Sequence, residues 1–252
     1  MSGMTFSRRI LAGLALLLPT VLLAAERPGD PQHGKLVYER YCTSCHGAAG
    51  NGAGEFAEWI SPRPRDYRQG TFKWRSTPSG SLPTDADLEK TLLGGLYGTF
   101  MPTWYAIGHR ARMDVIAYIK SFSPRWAKEQ PQASIVIPAE PSNDATSNER
   151  GRAVYVKNQC ATCHGDRGLG DGPSAHDLKD DWGYLIVPYN LTEGHIKCGD
   201  TALDIYRVFM TGLTGTPMPS FADAINSGDA WDLAHYILSL GRPERGPVAK
   251  QP

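Results

Sequence analysis

The chain has 252 residues, which is enough for one large domain or two small ones. Its composition, 41% hydrophobic and 21% charged, is typical of a globular protein and excludes a disordered chain or a membrane channel. The 26 basic and 26 acidic residues cancel, so no net field attracts nucleic acid or an anionic membrane. We therefore expect no nucleic-acid partner.

The first 25 residues have the pattern of a secretory signal peptide. Arg8 and Arg9 form a basic start, an apolar run occupies residues 10–25, and a charged segment begins at Glu26. We expect export to the periplasm with residues 1–25 as the signal peptide. An uncleaved membrane anchor is the alternative, because the apolar run is near the lower limit of about 17 residues for a spanning helix.

Four of the five cysteines form two copies of one short motif, although exported chains normally pair cysteines across long loops. The copies are Cys42-Thr43-Ser44-Cys45-His46 and Cys160-Ala161-Thr162-Cys163-His164. Cys-x-x-Cys-His is the attachment signature of c-type haem. The sequence therefore predicts two covalently attached haem c groups, each with its iron.

The spacing of the motif suits this chemistry, because residues i and i+3 share one face of a helix and i+4 lies beside them. Two thiols can then form thioethers with the two vinyl groups on one haem edge. The cysteines expected to bind haem are Cys42, Cys45, Cys160 and Cys163. His46 and His164 are then the proximal iron ligands. A thioredoxin-like redox pair and a zinc site fit less well, since the βαβ context and a second ligand pair are missing from the sequence.

The two motifs belong to a longer internal repeat. "LVYERYCTSCHG" resembles "AVYVKNQCATCHG", and a glycine, Gly34 or Gly151, lies two residues before the start of each stretch. Later, "LGGLYGTFMPTW" resembles "MTGLTGTPMPSF". Such self-similarity indicates two copies of one unit, and the Pro- and Ser-rich stretch between them is typical of a linker. The predicted divisions are a first domain at residues 26–123, a linker at 124–147, a second domain at 148–243 and a tail at 244–252.

A methionine occupies the same place in both copies and is the candidate second ligand. Met101 and Met218 each precede a proline in glycine-rich sequence, 55 residues after His46 and 54 after His164. Methionine often only fills gaps in a core, but that role gives no reason for a repeated Met-Pro. Proline stiffens the chain and can hold the sulfur towards the iron. His/Met ligation raises the haem potential and suits electron transfer.

With these motifs the chain resembles the class I c-type cytochromes in tandem di-haem form, over residues 34–241 apart from the linker. The resemblance implies an all-α fold of two domains, in each of which the helix with the haem motif crosses a C-terminal helix. The contacts it implies at the two crossings are Gly34 and Tyr38 with Tyr118, and Gly151 and Tyr155 with Tyr236. Residues 62–88 also resemble di-haem cytochromes that accompany respiratory oxidoreductases or terminal oxidases, which implies redox protein partners of that kind.

Several residues fall outside this pattern. Cys198 has no counterpart in the first copy, and three interpretations stay open: an inert buried thiol, an intermolecular disulfide, or an alternative axial ligand. Arg75 and Lys73 are the first candidates to neutralise haem propionates, with a solvated basic loop as the alternative. Four histidines compete in principle with methionine, although surface or packing roles are favoured: His109, His176, His195 and His235.

The sequence favours an exported electron carrier that shuttles single electrons between respiratory redox partners, with no catalytic residues. The first alternative is a haem enzyme or catalytic subunit, peroxidase-like or thiosulfate-oxidising, for which Cys198 is the motive. The second is a cytochrome subunit docked permanently in a membrane respiratory complex. We expect membrane contact only if the signal segment is retained.

Overall fold

The computed structural model describes residues 27–197 and 199–241, and this part of the chain is helical. Its nine α-helices are α1 (Pro31–Tyr41), α2 (Thr43–His46), α3 (Asp85–Gly94), α4 (Gly108–Ser121), α5 (Arg125–Lys128), α6 (Ala145–Lys157), α7 (Ala161–His164), α8 (Ala202–Thr211) and α9 (Ser227–Leu240). Within these residues, β pairing is confined to one bridge between Lys179 and Leu185. The all-α expectation is confirmed. The predicted signal peptide, Cys198 and the predicted tail lie outside the described residues.

Each half is built on one pair of crossing helices, α1 with α4 and α6 with α9. A glycine lies at each crossing. A methyl group on Gly34 would come within 1.9 Å of the Asp114 carbonyl oxygen, and one on Gly151 within 1.9 Å of the Asp232 carbonyl oxygen. Because even the smallest side chain would collide with backbone there, glycine is what lets the two helices approach so closely.

A tyrosine one turn after each glycine fills the same crossing. The ring of Tyr38 meets that of Tyr118 edge-on, with centroids 5.3 Å apart, and Tyr155 meets Tyr236 in the same way at 5.5 Å. Edge-to-face pairs of this kind contribute about 0.5–1.5 kcal/mol beyond the burial of their surface. The implied contacts of Tyr38 with Tyr118, and of Gly151 and Tyr155 with Tyr236, are thereby confirmed, whereas Gly34 meets the backbone of Asp114 and Val115.

The hydroxyl groups of these tyrosines tie each crossing to the turn that follows the haem motif. Tyr38 donates a hydrogen bond to the carbonyl oxygen of Gly47 (2.8 Å), and Tyr155 donates to that of Gly165 (2.7 Å). Both glycines have positive φ, 75° and 77°, which side-chain-bearing residues rarely adopt. The chain can therefore turn sharply just after each histidine and return towards the core.

Helices α3 and α8 are the equivalent third helices of the two halves, and each begins at a threonine cap. The hydroxyl of Thr84 accepts from the Asp87 N–H, and the Asp87 carboxylate accepts from the Thr84 N–H, which forms a capping box. The hydroxyl of Thr201 accepts from the Asp204 N–H in the same position of α8. Caps of this type contribute about 1 kcal/mol each.

Two side-chain contacts near α3 and α8 join the two halves. The Nζ of Lys90 on α3 lies 2.5 Å from a carboxylate oxygen of Asp204 on α8. The guanidinium of Arg75 donates across the same boundary to the carbonyl oxygen of Thr211, at 2.6 Å. The domains are thus joined by direct side-chain contacts as well as by the chain between them.

The segment between the halves contacts both of them. Its first turn is α5, from which Trp126 packs on the core of the first half. Further along, the Ile135 N–H donates to the Ser76 carbonyl oxygen (2.8 Å), and Glu140 lies 3.2 Å from Nε2 of His235 in α9. The segment is therefore extended but anchored. No helix within residues 27–197 and 199–241 is both long and apolar enough to cross a bilayer.

Candidate haem-binding sites

The first Cys-x-x-Cys-His motif forms a single helical turn that continues α1. The N–H of Cys42 donates to the carbonyl oxygen of Tyr38, and the N–H of His46 donates to that of Cys42. This turn brings Cys42, Cys45 and His46 to the wall of one cavity, and Met101 lies in the same wall. The four residues predicted to bind the first haem are therefore together around one space.

The imidazole of His46 is held by its Nδ1, which lies 3.2 Å from the backbone carbonyl oxygen of Arg65. Since a carbonyl only accepts, Nδ1 carries the hydrogen and Nε2 carries the lone pair. Nε2 in turn accepts from the hydroxyl of Tyr67 (3.1 Å), whose ring stacks on the imidazole. Burial lowers the pKa of His46 to about 4. The ring is thus neutral, which is the form that binds a metal.

The loop that carries Met101 is fixed by its own hydrogen bonds. The Met101 N–H donates to the hydroxyl oxygen of Thr99 (3.1 Å), and that hydroxyl donates to the carbonyl oxygen of Leu96 (2.8 Å). The Leu96 N–H donates back to the Met101 carbonyl oxygen (3.0 Å). Leu96, Thr99 and Met101 therefore form a closed turn in which the methionine side chain faces the cavity.

The second half repeats the methionine loop. The Met218 N–H donates to the hydroxyl oxygen of Thr216 (3.2 Å), which donates to the carbonyl oxygen of Leu213 (2.7 Å). The Leu213 N–H donates to the Met218 carbonyl oxygen (3.1 Å). Met218 also packs on the apolar core of the second half, as does Cys160. Because the same bonds recur in a copy with different neighbours, the loop shape is a property of the Gly-Thr-x-Met-Pro sequence.

The histidine of the second motif is held in the same way as the first. Nδ1 of His164 lies 3.3 Å from the backbone carbonyl oxygen of Tyr189, and burial lowers the pKa of the imidazole. Cys163 completes the turn of α7 with His164. Each half therefore presents a neutral imidazole anchored through Nδ1, and Nε2 is the nitrogen that would bind a metal; at His46 this requires the hydrogen bond from Tyr67 to break.

All four motif cysteines are half-buried, and within the described residues none of them forms a disulfide. Before any cofactor is attached, burial raises the pKa of Cys42 to about 12 and that of Cys160 to about 11, with the other cysteine of the motif adding to the rise in both cases. The attacking cysteine of a redox-active pair has a lowered pKa instead. Cys42 and Cys160 therefore lack the electrostatic signature of a thioredoxin-like pair.

A partly buried cation with one unsatisfied donor tests whether an anionic haem fits the first cavity. Arg65 lines the cavity, and its Nη1 is buried without a hydrogen-bond acceptor among the described residues. Burial lowers the pKa of Arg65 to about 10, so the guanidinium stays charged at neutral pH. An unsatisfied buried donor is costly. A haem propionate would satisfy this one, so the donor set fits the cofactor.

The expectation for Arg75 is wrong, because its guanidinium is already used in protein contacts. It is 3% exposed and donates to the carbonyl oxygens of Phe72, Pro78 and Thr211. Lys73 does line the first cavity, where burial lowers its pKa to about 8. Three cations therefore line the first cavity: Arg63, Arg65 and Lys73.

The competing histidines are engaged elsewhere or lie at the surface. His235 is fully buried between the hydroxyl of Ser147 and the carboxylate of Glu140. His109 pairs with Glu89, His195 pairs with Asp200, and His176 is exposed. The packing and surface roles favoured for these histidines are confirmed.

Sequence reasoning missed the residues that hold the ligands in place. Thr99 and Thr216 carry a signal that could have been found, because each precedes a methionine by two residues in the repeat. Arg65 and Tyr189 carry no such signal, since both act on the histidine through a backbone carbonyl that any residue would supply.

Comparison with known proteins agrees with this arrangement. The cytochrome c family model matches the chain twice, at residues 31–123 and 148–241. The chain therefore belongs to the cytochrome c family, in tandem form, and carries two covalently bound haem c groups.

The chain is also similar to two particular oxidase subunits. It is 25% identical over 221 residues to the cbb3-type cytochrome c oxidase subunit CcoP of Azospirillum brasilense, covering 82% of this chain and 61% of the relative. It is 22% identical over 216 residues to the cbb3-type oxidase subunit FixP of Azorhizobium caulinodans, covering 82% of this chain and 59% of the relative. The chain thus spans about three fifths of these two relatives.

A solved structure is more similar in sequence. A chain of the Kuenenia stuttgartiensis reducing HAO-like protein complex Kustc0457/Kustc0458 is 39% identical, with a TM-score of 0.83. The match covers 86% of this chain and 99% of that chain. The two-domain arrangement therefore recurs in a protein of known structure.

Proposed function

We propose that the protein is a periplasmic di-haem electron carrier that passes single electrons between respiratory redox partners. In this proposal the cytochrome domains span residues 26–123 and 148–243. The residues that hold the two haems are Cys42, Cys45, His46 and Met101 in the first domain, and Cys160, Cys163, His164 and Met218 in the second. When bound, each haem supplies a one-electron iron couple.

The observation that carries this proposal is the presence of His46 and Met101 in the wall of one cavity. His46 and Met101 would hold the iron of the bound haem with an imidazole nitrogen and a thioether sulfur. Two protein ligands would leave no open position for a small substrate. The protein's part is to hold these ligands fixed, which the carbonyl of Arg65 and the hydroxyl of Thr99 do.

Exposed aromatic side chains beside the methionine loop support transfer to a protein partner. Phe100 and Tyr105 are both 69% exposed and flank Met101 and Trp104 in sequence. Large apolar side chains that remain in contact with water often mark a surface for protein association. A partner that covers them would approach the haem at the side of the Met101 loop.

Carbon monoxide binding tests this proposal, because the gas binds reduced haem iron only at an open or easily vacated position. The haem-loaded full chain is reduced and titrated with carbon monoxide while the Soret absorption is followed. The proposal predicts binding to only a small fraction of the haem. Binding of nearly one carbon monoxide per haem in either domain would contradict it and favour a haem enzyme.

A second candidate function is a fixed subunit of a larger respiratory complex. It is favoured by the likeness to a chain of an HAO-like complex and to two oxidase subunits. Mass determination of the mature protein distinguishes the candidates. A free carrier predicts the mass of residues 26–252 plus two haems, whereas a retained N-terminal segment in the membrane fraction supports the docked subunit.

A further inference from the structure

The residues that hold the two axial histidines occupy equivalent positions in the two halves. The carbonyl oxygen of Arg65 accepts from Nδ1 of His46, and that of Tyr189 accepts from Nδ1 of His164. The residue two places later donates its N–H to a glycine carbonyl at 2.7 Å in both halves, Tyr67 in the first and Leu191 in the second. The two loops therefore have the same backbone course, and their side chains can be compared directly.

The side chain of Arg65 extends out of its own half and into the second one. Its guanidinium lies over the ring of Trp182, 4.4 Å from the ring centre. Its Nη1 would lie 2.7 Å from a methyl group placed on Gly215. Gly215 begins the Gly-Thr-Pro-Met stretch that carries Met218. One residue thus contacts the histidine of the first site through its backbone and the methionine loop of the second site through its side chain.

The side chain of Tyr189 makes the reciprocal contact. Its ring lies beside Gly98, where an added methyl group would be 3.8 Å from Cε2. Gly98 begins the Gly-Thr-Phe-Met stretch that carries Met101, so Gly98 and Gly215 are equivalent positions. The Tyr189 hydroxyl donates to the carbonyl oxygen of His195, and the His195 ring meets that of Tyr97 at 4.8 Å.

We propose that Arg65 and Tyr189 are positioning residues that couple the two haem sites, each linking the histidine of its own half to the methionine loop of the other half. This inference rests on the proposed function. A shift of either loop changes how firmly the opposite methionine is held, and His/Met ligation is one of the features that set a haem potential. The reduction of one haem therefore depends on the structure around the other.

The two links differ in strength. Arg65 is charged, and its Nη1 is buried and would lie 2.7 Å from a methyl group on Gly215, whereas Tyr189 meets Gly98 at an ordinary van der Waals distance. The link from Arg65 to the second site is therefore the stronger one. A substitution of Arg65 should affect the second haem more than a substitution of Tyr189 affects the first.

The first test is Arg65→Met in the haem-loaded full chain, with the two haems assigned by single substitutions of Met101 and Met218. Redox titration follows both potentials, and the absorption band of the methionine–iron bond is recorded. We expect the equilibrium constant for reducing the second haem to change by about fivefold or more, which is the scale of ordinary site–site coupling. We also expect the Met218 contribution to the band to weaken.

Arg63→Met is the matched control. Arg63 lies over the Tyr184 ring across the same boundary, at 4.8 Å, so this variant removes the same charge from the same interface. It leaves the Arg65 contacts with His46 and Gly215 in place. The inference is overturned if Arg65→Met changes only the first haem, as a propionate role alone would predict, or if both variants shift the second haem equally.

The reciprocal test is Tyr189→Leu, and it tests the coupling even if Arg65→Met fails to retain both haems. Tyr189→Leu should change the potential of the first haem, which lies in the other half of the protein. Tyr189→Phe keeps the ring beside Gly98 and should retain the wild-type potential. An unchanged first haem in Tyr189→Leu contradicts the coupling. Loss of the methionine signal from wild-type protein would instead contradict the proposed function itself.

Discussion

The two halves hold their candidate ligands with the same backbone bonds but surround them with different side chains. In the first half Tyr67 donates to Nε2 of His46, whereas Leu191 occupies the equivalent position in the second half. Arg65 supplies the anchoring carbonyl in one half and Tyr189 in the other. The geometry of the candidate ligands therefore depends on the backbone and a threonine, while the side chains around each site set its polarity independently. Two haem sites with the same backbone arrangement can therefore have different reduction potentials.

Adding a methyl group at the helix crossing should have the largest effect on stability, and the effect should be equal in the two halves. Gly34→Ala and Gly151→Ala each place a methyl group against a backbone carbonyl, so we expect the free energy of unfolding of the altered half to fall by about 3 kcal/mol. Urea denaturation followed by circular dichroism and by haem absorption measures this change.

The matched controls are Gly94→Ala and Gly228→Ala, one in each half. A methyl group on Gly94 meets nothing within 4 Å, and one on Gly228 meets only the Asn226 side chain at 3.4 Å. These variants should be neutral or slightly stabilising. Equal losses in the crossing and control variants would show that close helix approach is not what these glycines provide.

Removing the threonine hydroxyl from a methionine loop should have the next largest effect. Thr99→Val and Thr216→Val each lose one accepted and one donated hydrogen bond, which costs about 1–3 kcal/mol where the groups are left unpaired. We expect a weaker methionine–iron band in the altered half alone. The exposed Thr103 provides the control, Thr103→Val, and a similar weakening there would contradict the role of the loop hydroxyl.

Loss of the tyrosine hydroxyl at a helix crossing should have a smaller effect. Tyr38→Phe and Tyr155→Phe keep the aromatic contact and remove the hydrogen bond to the carbonyl of Gly47 or Gly165. We expect each variant to lose about 1 kcal/mol of unfolding free energy. Thermal unfolding of the two single variants and the double variant measures this, and losses that fail to add would contradict separate contributions from the two hydrogen bonds, which share no residue.

Acid should weaken both crossings through equivalent carboxylates. Burial opposes ionisation of Asp114, but hydrogen bonds from the Asp30 N–H and from His33 outweigh it and lower its pKa. The hydrogen bonds from Arg150 lower the pKa of Asp232, although burial opposes them. A lowered folded-state pKa adds stability above the unfolded value of about 4, and this stability is lost as the pH falls through the folded pKa.

The measurement is unfolding free energy between pH 7 and pH 3 for the wild type and for Asp114→Asn and Asp232→Asn. Each variant should be less stable than the wild type at pH 7, and the difference in unfolding free energy should become smaller towards pH 3. A difference that stays constant with pH would show that the charge of the carboxylate does not contribute to stability. This is the smallest of the expected effects.

Most of the fold and the set of candidate ligands could be predicted from the sequence, because the chemistry is carried by side chains at short, repeated spacings. Cys42, Cys45 and His46 lie within one turn of helix, and Met101 recurs as Met218 in the second copy. The crossing glycines carry an equally local signal, since Gly34 and Gly151 precede the haem motif at nearly the same distance.

The anchors and the coupling could not be predicted in this way. A backbone carbonyl such as that of Arg65 leaves no mark on the sequence. The sequence does not show which basic residues near Arg75 face the haem and which contact protein. The guanidinium of Arg75 donates to the carbonyl oxygen of Thr211, which lies far along the chain. The contact of Arg65 with Trp182 and Gly215 likewise depends on how the two halves pack.

Low-temperature paramagnetic resonance of the oxidised protein tests the ligand assignment most directly, with Met101 and Met218 replaced singly by alanine. The account predicts two histidine–methionine signals in the wild type and the loss of one signal in each variant, while the other is retained. Signals that survive both substitutions, or a wild-type spectrum of bis-histidine or thiolate ligation, would contradict it.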